Sequence, residues 1–143
     1  MAMVAKARSR RRRWYLIAFV ATIVAGLASR HFSQVLPAFL GKYPGDVLWS
    51  LMVFFGLGII FNQVSSLRLG LVALGFSFGI EALKLWQAPW LVSVRQTTLG
   101  HLVFGHVFSW QNLVAYTVGI LVGLIVEVLL VPCLRVAGDH NTV

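Results

Sequence analysis

Charged side chains are scarce in this chain of 143 residues, and cysteine is nearly absent. Lys, Arg, Asp and Glu make up 11% of the sequence, whereas a soluble domain carries about 25%. So little charge cannot coat a water-soluble fold, which excludes a soluble globular protein. The single cysteine, Cys133, excludes an internal disulfide and leaves no thiol pair for a metal.

Recognisable catalytic motifs are also missing. The sequence contains no glycine-rich phosphate loop, no His-Glu-x-x-His run and no Gly-x-Ser-x-Gly elbow. Ser77 and Ser109 have no evident base partner in the sequence. Nucleophilic catalysis is therefore unsupported, and we expect no catalytic residue, no metal and no cofactor.

Long apolar runs are what the sequence does have. At ~1.5 Å of rise per residue, runs of this length reach roughly 24–30 Å as helices, which is close to the thickness of a bilayer core. Lipid offers no partner to a bare backbone amide, so helices are required. The sequence predicts an all-α integral membrane protein with four transmembrane helices over residues 14–133, flanked by tails over 1–13 and 134–143. The four runs are Trp14–Ser29, Asp46–Gln63, Leu67–Trp86 and Asn112–Val131.

Basic residues predict the orientation. Half of the twelve Lys and Arg precede the first run, and Arg68 and Arg135 join them on one side of the membrane. Only Arg30, Lys42, Lys84 and Arg95 fall on the other side. The positive-inside rule then places both termini in the cytoplasm of a bacterial inner membrane. The basic start also resembles a signal peptide, but three more spans follow, and we expect it to be retained.

The net charge of +8 does not point to nucleic acid, because it is concentrated in the tail before the first span. Such a cluster is typical of cytoplasmic retention or of attraction to anionic lipid. The expected partners are membrane lipids and a second copy of the chain or a larger membrane complex.

The segment over residues 87–110 is too short and too interrupted to span a bilayer. Pro89 opens it, and tryptophans lie near both of its ends. We interpret it as an interfacial or re-entrant segment on the outer face, between the third and fourth spans; a plain surface loop is the alternative.

Small residues predict how the helices pack. A stripe over Ala18, Thr22, Ala25 and Ser29 marks the first span. Gly75 and Gly79 mark the third, on nearly the opposite face from Glu81, which predicts a central helix. In the fourth, a stripe that faces protein is expected at Asn112, Tyr116, Gly119, Gly123 and Glu127.

Glu81 is the most informative single residue. It lies roughly 8 Å inside the outer end of the third span, where a carboxylate is costly unless it is paired, hydrated or protonated. We expect a buried ion pair with Arg95, with Asn112 and Tyr116 nearby; local pairing with Lys84 is the alternative. The pair either binds a headgroup, ion or proton, or only fixes the outer segment to the helices.

Other polar residues carry weaker signals. Asp46 is expected to cap the second span, and Lys42 beside it is a candidate phosphate ligand. Glu127 is interpreted as an anchor near the inner end of the fourth span. His101 and His106 do not share a helical face, so a metal site there would need at least two further ligands.

These residues resemble the small membrane proteins of domain of unknown function 2809, over roughly residues 14 to 130. The resemblance rests on the motifs Gly26-Leu27-Ala28-Ser29-Arg30, Leu36-Pro37, Gly41-Lys42-Tyr43, Gly45-Asp46, Leu48-Trp49, Glu81-x-x-x-Leu85-Trp86, Pro89-Trp90-Leu91, Arg95-x-Thr97, Leu99-Gly100, Gly105, Phe108-x-Trp110 and Ala115-Tyr116-x-x-Gly119. That family is distantly similar to VanZ-type proteins, which are linked to glycopeptide (teicoplanin) tolerance.

The resemblance implies a shared polar set at Glu81, Arg95 and Asn112, with Arg30, Lys42 and Asp46 belonging to the narrower family. Two positions depart from the family pattern. Lys84 replaces a glutamine, and Asn112 replaces an aspartate. One acid is lost and one cation is gained, so the site is expected to be more positive here than in relatives.

Three hypotheses of function follow. The first is a non-enzymatic protein whose polar outer-face pocket binds an anionic lipid or an envelope-precursor headgroup through Arg30, Lys42, Lys84 and Arg95. The second is a dimeric proton-coupled transporter with Glu81 as the proton carrier. The third, and weakest, is an enzyme acting on a lipid-linked substrate.

Overall fold

The computed structural model describes residues 12–35, 37–38 and 43–138, with side chains as far as Leu129. The described residues form helices and no strands, which confirms the predicted fold class. The helices are α1 (Arg12–His31), α2 (Tyr43–Ile60), α3 (Ser66–Leu83), α4 (Pro89–Gln96), α5 (Thr98–Phe104) and α6 (Trp110–Gly138).

Four of these helices, α1, α2, α3 and α6, are long and apolar enough to cross a membrane. Each also carries large apolar side chains on its surface, such as Val24, Ile60, Leu71 and Ile125, which are all more than half exposed. Water would oppose so much exposed apolar surface, whereas lipid accepts it. The predicted set of four spans is therefore confirmed.

Helix α2 is at the centre of the bundle, because it contacts α1, α3 and α6. Helix α3 contacts α2 and α6, while α1 packs on α2 alone. The expectation that α3 is the central span is therefore wrong. Phe54, Leu69 and Ala73, with at most 1% of their surface exposed, form the middle of the apolar core.

Glycines bring α6 close to α2. A Cβ on Gly119 would collide with Ser50 and with the backbone of Val47, and one on Gly123 would lie 2.7 Å from the Phe54 ring. All five residues of the predicted α6 stripe, from Asn112 to Glu127, are buried, so that stripe faces protein as expected.

The small residues of α3 behave differently. A Cβ on Gly75 or Gly79 would meet no described atom within 4 Å, so these glycines mediate no contact within the described chain. On α1, Ala18 and Thr22 pack toward the core, but Ala25 is exposed. Small residues alone therefore predicted α6 packing correctly and α3 packing incorrectly.

The segment after α3 folds into two short helices, α4 and α5, which we call the cap. Pro89 occupies the start of α4, where its missing N–H costs no hydrogen bond. The Thr97 hydroxyl donates to the carbonyl of Val94 (2.7 Å) and accepts from the N–H of Gly100 (3.0 Å). The Thr97 side chain thus links the end of α4 to the start of α5. The segment is helical, and the alternative of a plain surface loop is wrong.

The helix boundaries correct two smaller expectations. Helix α1 continues through Arg30 to His31, and α2 begins at Tyr43. Asp46 therefore lies within the first turn of α2 rather than before it, where a negative charge still favours the helix dipole. The connection from α2 to α3 is a short turn that makes these helices a hairpin.

Some expectations lie outside the described residues. They concern the basic tail as far as residue 11, Lys42, and the last five residues of the chain. Of Cys133 and Arg135 the structure gives the helical backbone only.

Candidate functional site

Four polar side chains meet where the end of α3, the start of α6 and the cap come together. We call them the carboxylate cluster: Glu81, Lys84, Asn112 and Tyr116. None is more than 6% exposed, and Glu81 is fully buried. The site is therefore an enclosed polar cluster, and the polar outer-face pocket expected from the sequence stays a prediction.

Both oxygens of Glu81 accept two hydrogen bonds. Oε1 accepts from the backbone N–H of Ser109 (2.8 Å) and from Nδ2 of Asn112 (3.1 Å). Oε2 accepts from Nζ of Lys84 (2.5 Å) and from the hydroxyl of Tyr116 (2.9 Å). A carboxylate offers about four acceptor positions, so this one is saturated.

The ion pair of Glu81 is with Lys84, three residues further along the chain. The expected pairing with Arg95 is therefore wrong, and the local alternative is confirmed. The reason is geometric: residues three apart lie on the same side of a helix, so Lys84 reaches the carboxylate without depending on how the cap folds.

Arg95 instead binds the end of α3. Its Nη2 donates to the carbonyl oxygen of Leu83, at the end of α3, which also accepts from the backbone N–H of Trp86 (3.0 Å). The negative end of the helix dipole also favours a cation at this position. Arg95 therefore fixes α4 to α3 through a backbone carbonyl.

This contact leaves Arg95 incompletely satisfied. The residue is 2% exposed, and its Nε has no hydrogen-bond partner. Among the described residues, no carboxylate pairs with it. Because Lys84 neutralises Glu81, the buried group of Glu81, Lys84 and Arg95 carries one excess positive charge.

Two further candidate residues lie beside the cluster. Asp46 and Arg30 both interact electrostatically with the Tyr116 hydroxyl. The Arg30 side chain is exposed and runs along the first turn of α2, so that its Nε would lie 3.7 Å from a Cβ on Gly45. The structure thus brings together seven of the eight candidate residues; Lys42 lies outside the described residues.

Sequence reasoning missed the pairing of His101 with His106. Their ring centroids are 4.4 Å apart with the rings tilted by 31°. Helix α5 ends at Phe104, and Gly105 adopts a φ of 62°, which turns His106 back over His101. Helical spacing could not reveal this, because the two residues do not belong to one helix; the signal was the glycine between them.

Sequence reasoning also missed the two backbone partners, Ser109 N–H and Leu83 C=O, because any residue type supplies them. Ser77, considered as a nucleophile, donates its hydroxyl to the carbonyl of Ala73 (2.8 Å). In the described part of the chain, no three His, Cys, Asp or Glu side chains come together as a metal site.

These features define the protein as an all-helical membrane protein in which a saturated carboxylate joins two spans beneath a two-helix cap. The chain belongs to the family described as protein of unknown function (DUF2809), which matches residues 35–120. The matched range is more than half of the chain and contains every candidate residue except Arg30. No solved structure matches the chain.

Proposed function

We propose that this protein binds a phosphate-bearing headgroup, from an anionic lipid or a lipid-linked envelope precursor, at Arg95. The observation that carries the proposal is the state of that guanidinium: buried, held by one neutral acceptor, and without a partner at Nε. Guanidinium groups bind phosphate through two parallel hydrogen bonds, and Arg95 has donors available for them.

The surrounding charge supports an anion rather than a cation. Lys84 and Arg95 outnumber Glu81, while Arg30 and Asp46 both lie on the side of Tyr116, so that three cations face two acids. An anion at Arg95 would neutralise the excess charge that the described residues leave uncompensated. Binding requires Arg95 to exchange the carbonyl of Leu83 for the ligand.

We place the cap on the outer face of a bacterial inner membrane, with both termini in the cytoplasm. The distribution of Lys and Arg along the sequence supports this orientation, because most of them precede the first span or follow an inner turn. A headgroup in the outer leaflet then lies at the level of the cap. The similarity to VanZ-type proteins stays a prediction from the sequence.

The two alternative functions have less support. A proton carrier must change its protonation state, yet Glu81 accepts four hydrogen bonds, which favour the ionised carboxylate. An enzyme needs a nucleophile beside a base, and the hydroxyl of Ser77 is bound to its own helix. Neither alternative draws on the unsatisfied guanidinium.

The test is lipid retention by Arg95→Gln, measured by native mass spectrometry of protein extracted from nanodiscs of mixed phosphatidylglycerol and phosphatidylcholine. We expect the wild type to retain phosphatidylglycerol and Arg95→Gln to retain at least tenfold less of it. A parallel titration with inorganic sulfate in phosphatidylcholine nanodiscs distinguishes a free anion from a lipid headgroup.

Arg68→Gln is the matched control, since Arg68 is an exposed arginine at the other end of α3 and its removal changes the net charge equally. If both variants lose phosphatidylglycerol to the same extent, the site at Arg95 is refuted. Should Arg95→Gln fail to fold, Arg95→Lys keeps the charge but not the two parallel bonds. It must then show weaker retention than the wild type, or the proposal fails.

A further inference from the structure

The pair of histidines on the cap, His101 and His106, takes no part in the contacts described for Glu81 or Arg95. Both side chains are exposed, and their rings contact each other. Two imidazoles 4.4 Å apart cannot both become charged cheaply, because each positive charge opposes the other.

Two positive groups lie beside the pair, and a third lies on the neighbouring helix α4. Arg30 of α1 is close enough to act electrostatically on His101. Lys84, at the end of α3, packs against the turn between the histidines: its Cε would lie 3.1 Å from a Cβ on Gly105. Arg95 lies on α4, which packs on α5, and the nearest acid of α3, Glu81, is already paired with Lys84.

These surroundings favour the neutral form of His101. Desolvation lowers the pKa of His101 below its usual value, and the charges of His106 and Arg30 lower it further. An anion near these rings would reverse the last two effects, since a negative charge favours the imidazolium. An exposed pair with Arg30 and Lys84 beside it is thus placed to take up a proton when an anion arrives.

We propose that His101 and His106 form the proton-dependent part of the anion site, so that an anion binds together with a proton taken up by the pair. This inference rests on the proposed function. By linkage, a ligand whose binding takes up a proton binds more tightly as the pH falls. The proton goes from solvent to a ring nitrogen, and no covalent bond to the ligand forms.

The experiment measures phosphatidylglycerol binding to the full chain in phosphatidylcholine nanodiscs at pH 5.5 and pH 7.5. The phosphodiester of this lipid stays ionised over that range, so any pH dependence belongs to the protein. We expect the wild type to bind about tenfold more tightly at pH 5.5, as the uptake of one proton allows. Proton uptake on binding, followed in weakly buffered solution, gives a second readout.

The test variant is His101→Gln/His106→Gln, and the matched control is His31→Gln, a histidine whose ring packs against Phe32. We expect the double variant to bind phosphatidylglycerol more weakly than the wild type at pH 5.5 and to lose both the pH dependence and the proton uptake. His31→Gln should keep both. Circular dichroism at both pH values confirms that each variant is folded.

The outcomes separate the two proposals. Binding that depends on Arg95 but not on pH overturns the role of the histidines and leaves the proposed function standing. If binding still depends on pH in the double variant, or no longer does so in His31→Gln, that role is also overturned. Binding that is independent of Arg95 at both pH values refutes the proposed function, and this inference with it.

Discussion

At the residue scale, Glu81 organises the capped end of the molecule. Its four donors come from Lys84 directly after α3, from α6 and from the connection that leads out of the cap. A carboxylate with fewer donors would be costly in this position, because a buried charge without partners loses its hydration uncompensated. The cluster thus explains how an acid is tolerated within a predicted span.

The sequence was sufficient to identify Glu81, Asn112 and Tyr116 as one polar set, because a lone acid and two polar residues stood out in apolar surroundings. It was not sufficient to choose between two cations. Lys84 and Arg95 were both plausible partners, and the choice depends on where α4 begins after the turn that follows α3. That geometry is set by tertiary contacts rather than by residue type.

The first prediction concerns the Glu81–Lys84 ion pair. We expect Glu81→Gln to lower the free energy of unfolding by about 3–5 kcal/mol, because Lys84 would keep a buried charge without a counterion. In Glu81→Gln/Lys84→Met, both charges are gone, so the loss should be smaller than the sum of the two single losses. Unfolding in detergent, followed by circular dichroism, measures these values. Strictly additive losses would show that the ion pair has no coupling energy.

At the element scale, glycine has opposite roles on α6 and α3. Gly119 lets α6 approach the backbone of α2, while Gly75 and Gly79 face no described atom within 4 Å. The sequence pattern was similar in both helices, with small residues four apart. Only the structure shows that the small residues of α6 contact another helix, whereas Gly75 and Gly79 of α3 face no described atom within 4 Å.

The second prediction follows from this difference. Gly119→Ala should destabilise the protein by about 1–3 kcal/mol, because the new methyl group forces α2 and α6 apart. Gly79→Ala should be neutral, or stabilising by up to about 1 kcal/mol, because alanine is the better helix former and meets nothing here. The same unfolding measurement compares them. A destabilised Gly79→Ala would mean that another molecule packs on that face of α3.

The cap is the element that sequence reasoning described least well. An apolar segment too short to span was expected to be interfacial or re-entrant, but its division into two helices joined through Thr97 was not predicted. The bonds of the Thr97 hydroxyl to Val94 and Gly100 fix the bend between them. A Cβ on Gly100 would collide with the carbonyl of Val94, so this glycine is required by packing within the cap.

At the scale of the whole molecule, the number of spans and their approximate positions could be predicted from length and hydropathy alone. Lipid restricts the backbone to helices, so a run of apolar residues translates directly into an element. Which span lies at the centre of the bundle could not be predicted, because α2 and α3 are similarly apolar. Contacts such as Phe54 against Gly123 decide which one is central.

The third prediction concerns orientation. In a Cys133→Ser background, Ser93→Cys on the cap should react with an impermeant maleimide in intact cells. Gln63→Cys, in the turn between α2 and α3, should react only after the membrane is permeabilised. Both positions are exposed in the structure, so accessibility within the protein is matched. The reverse labelling pattern would place the cap in the cytoplasm.

The saturated carboxylate has a consequence for biosynthesis. Three of the four donors to Glu81 lie 28, 31 and 35 residues further along the chain. When α3 leaves the ribosome, Lys84 is therefore the one partner that this acid can have nearby. The carboxylate of Glu81 can therefore reach its full set of four donors only after the start of α6 has been translated.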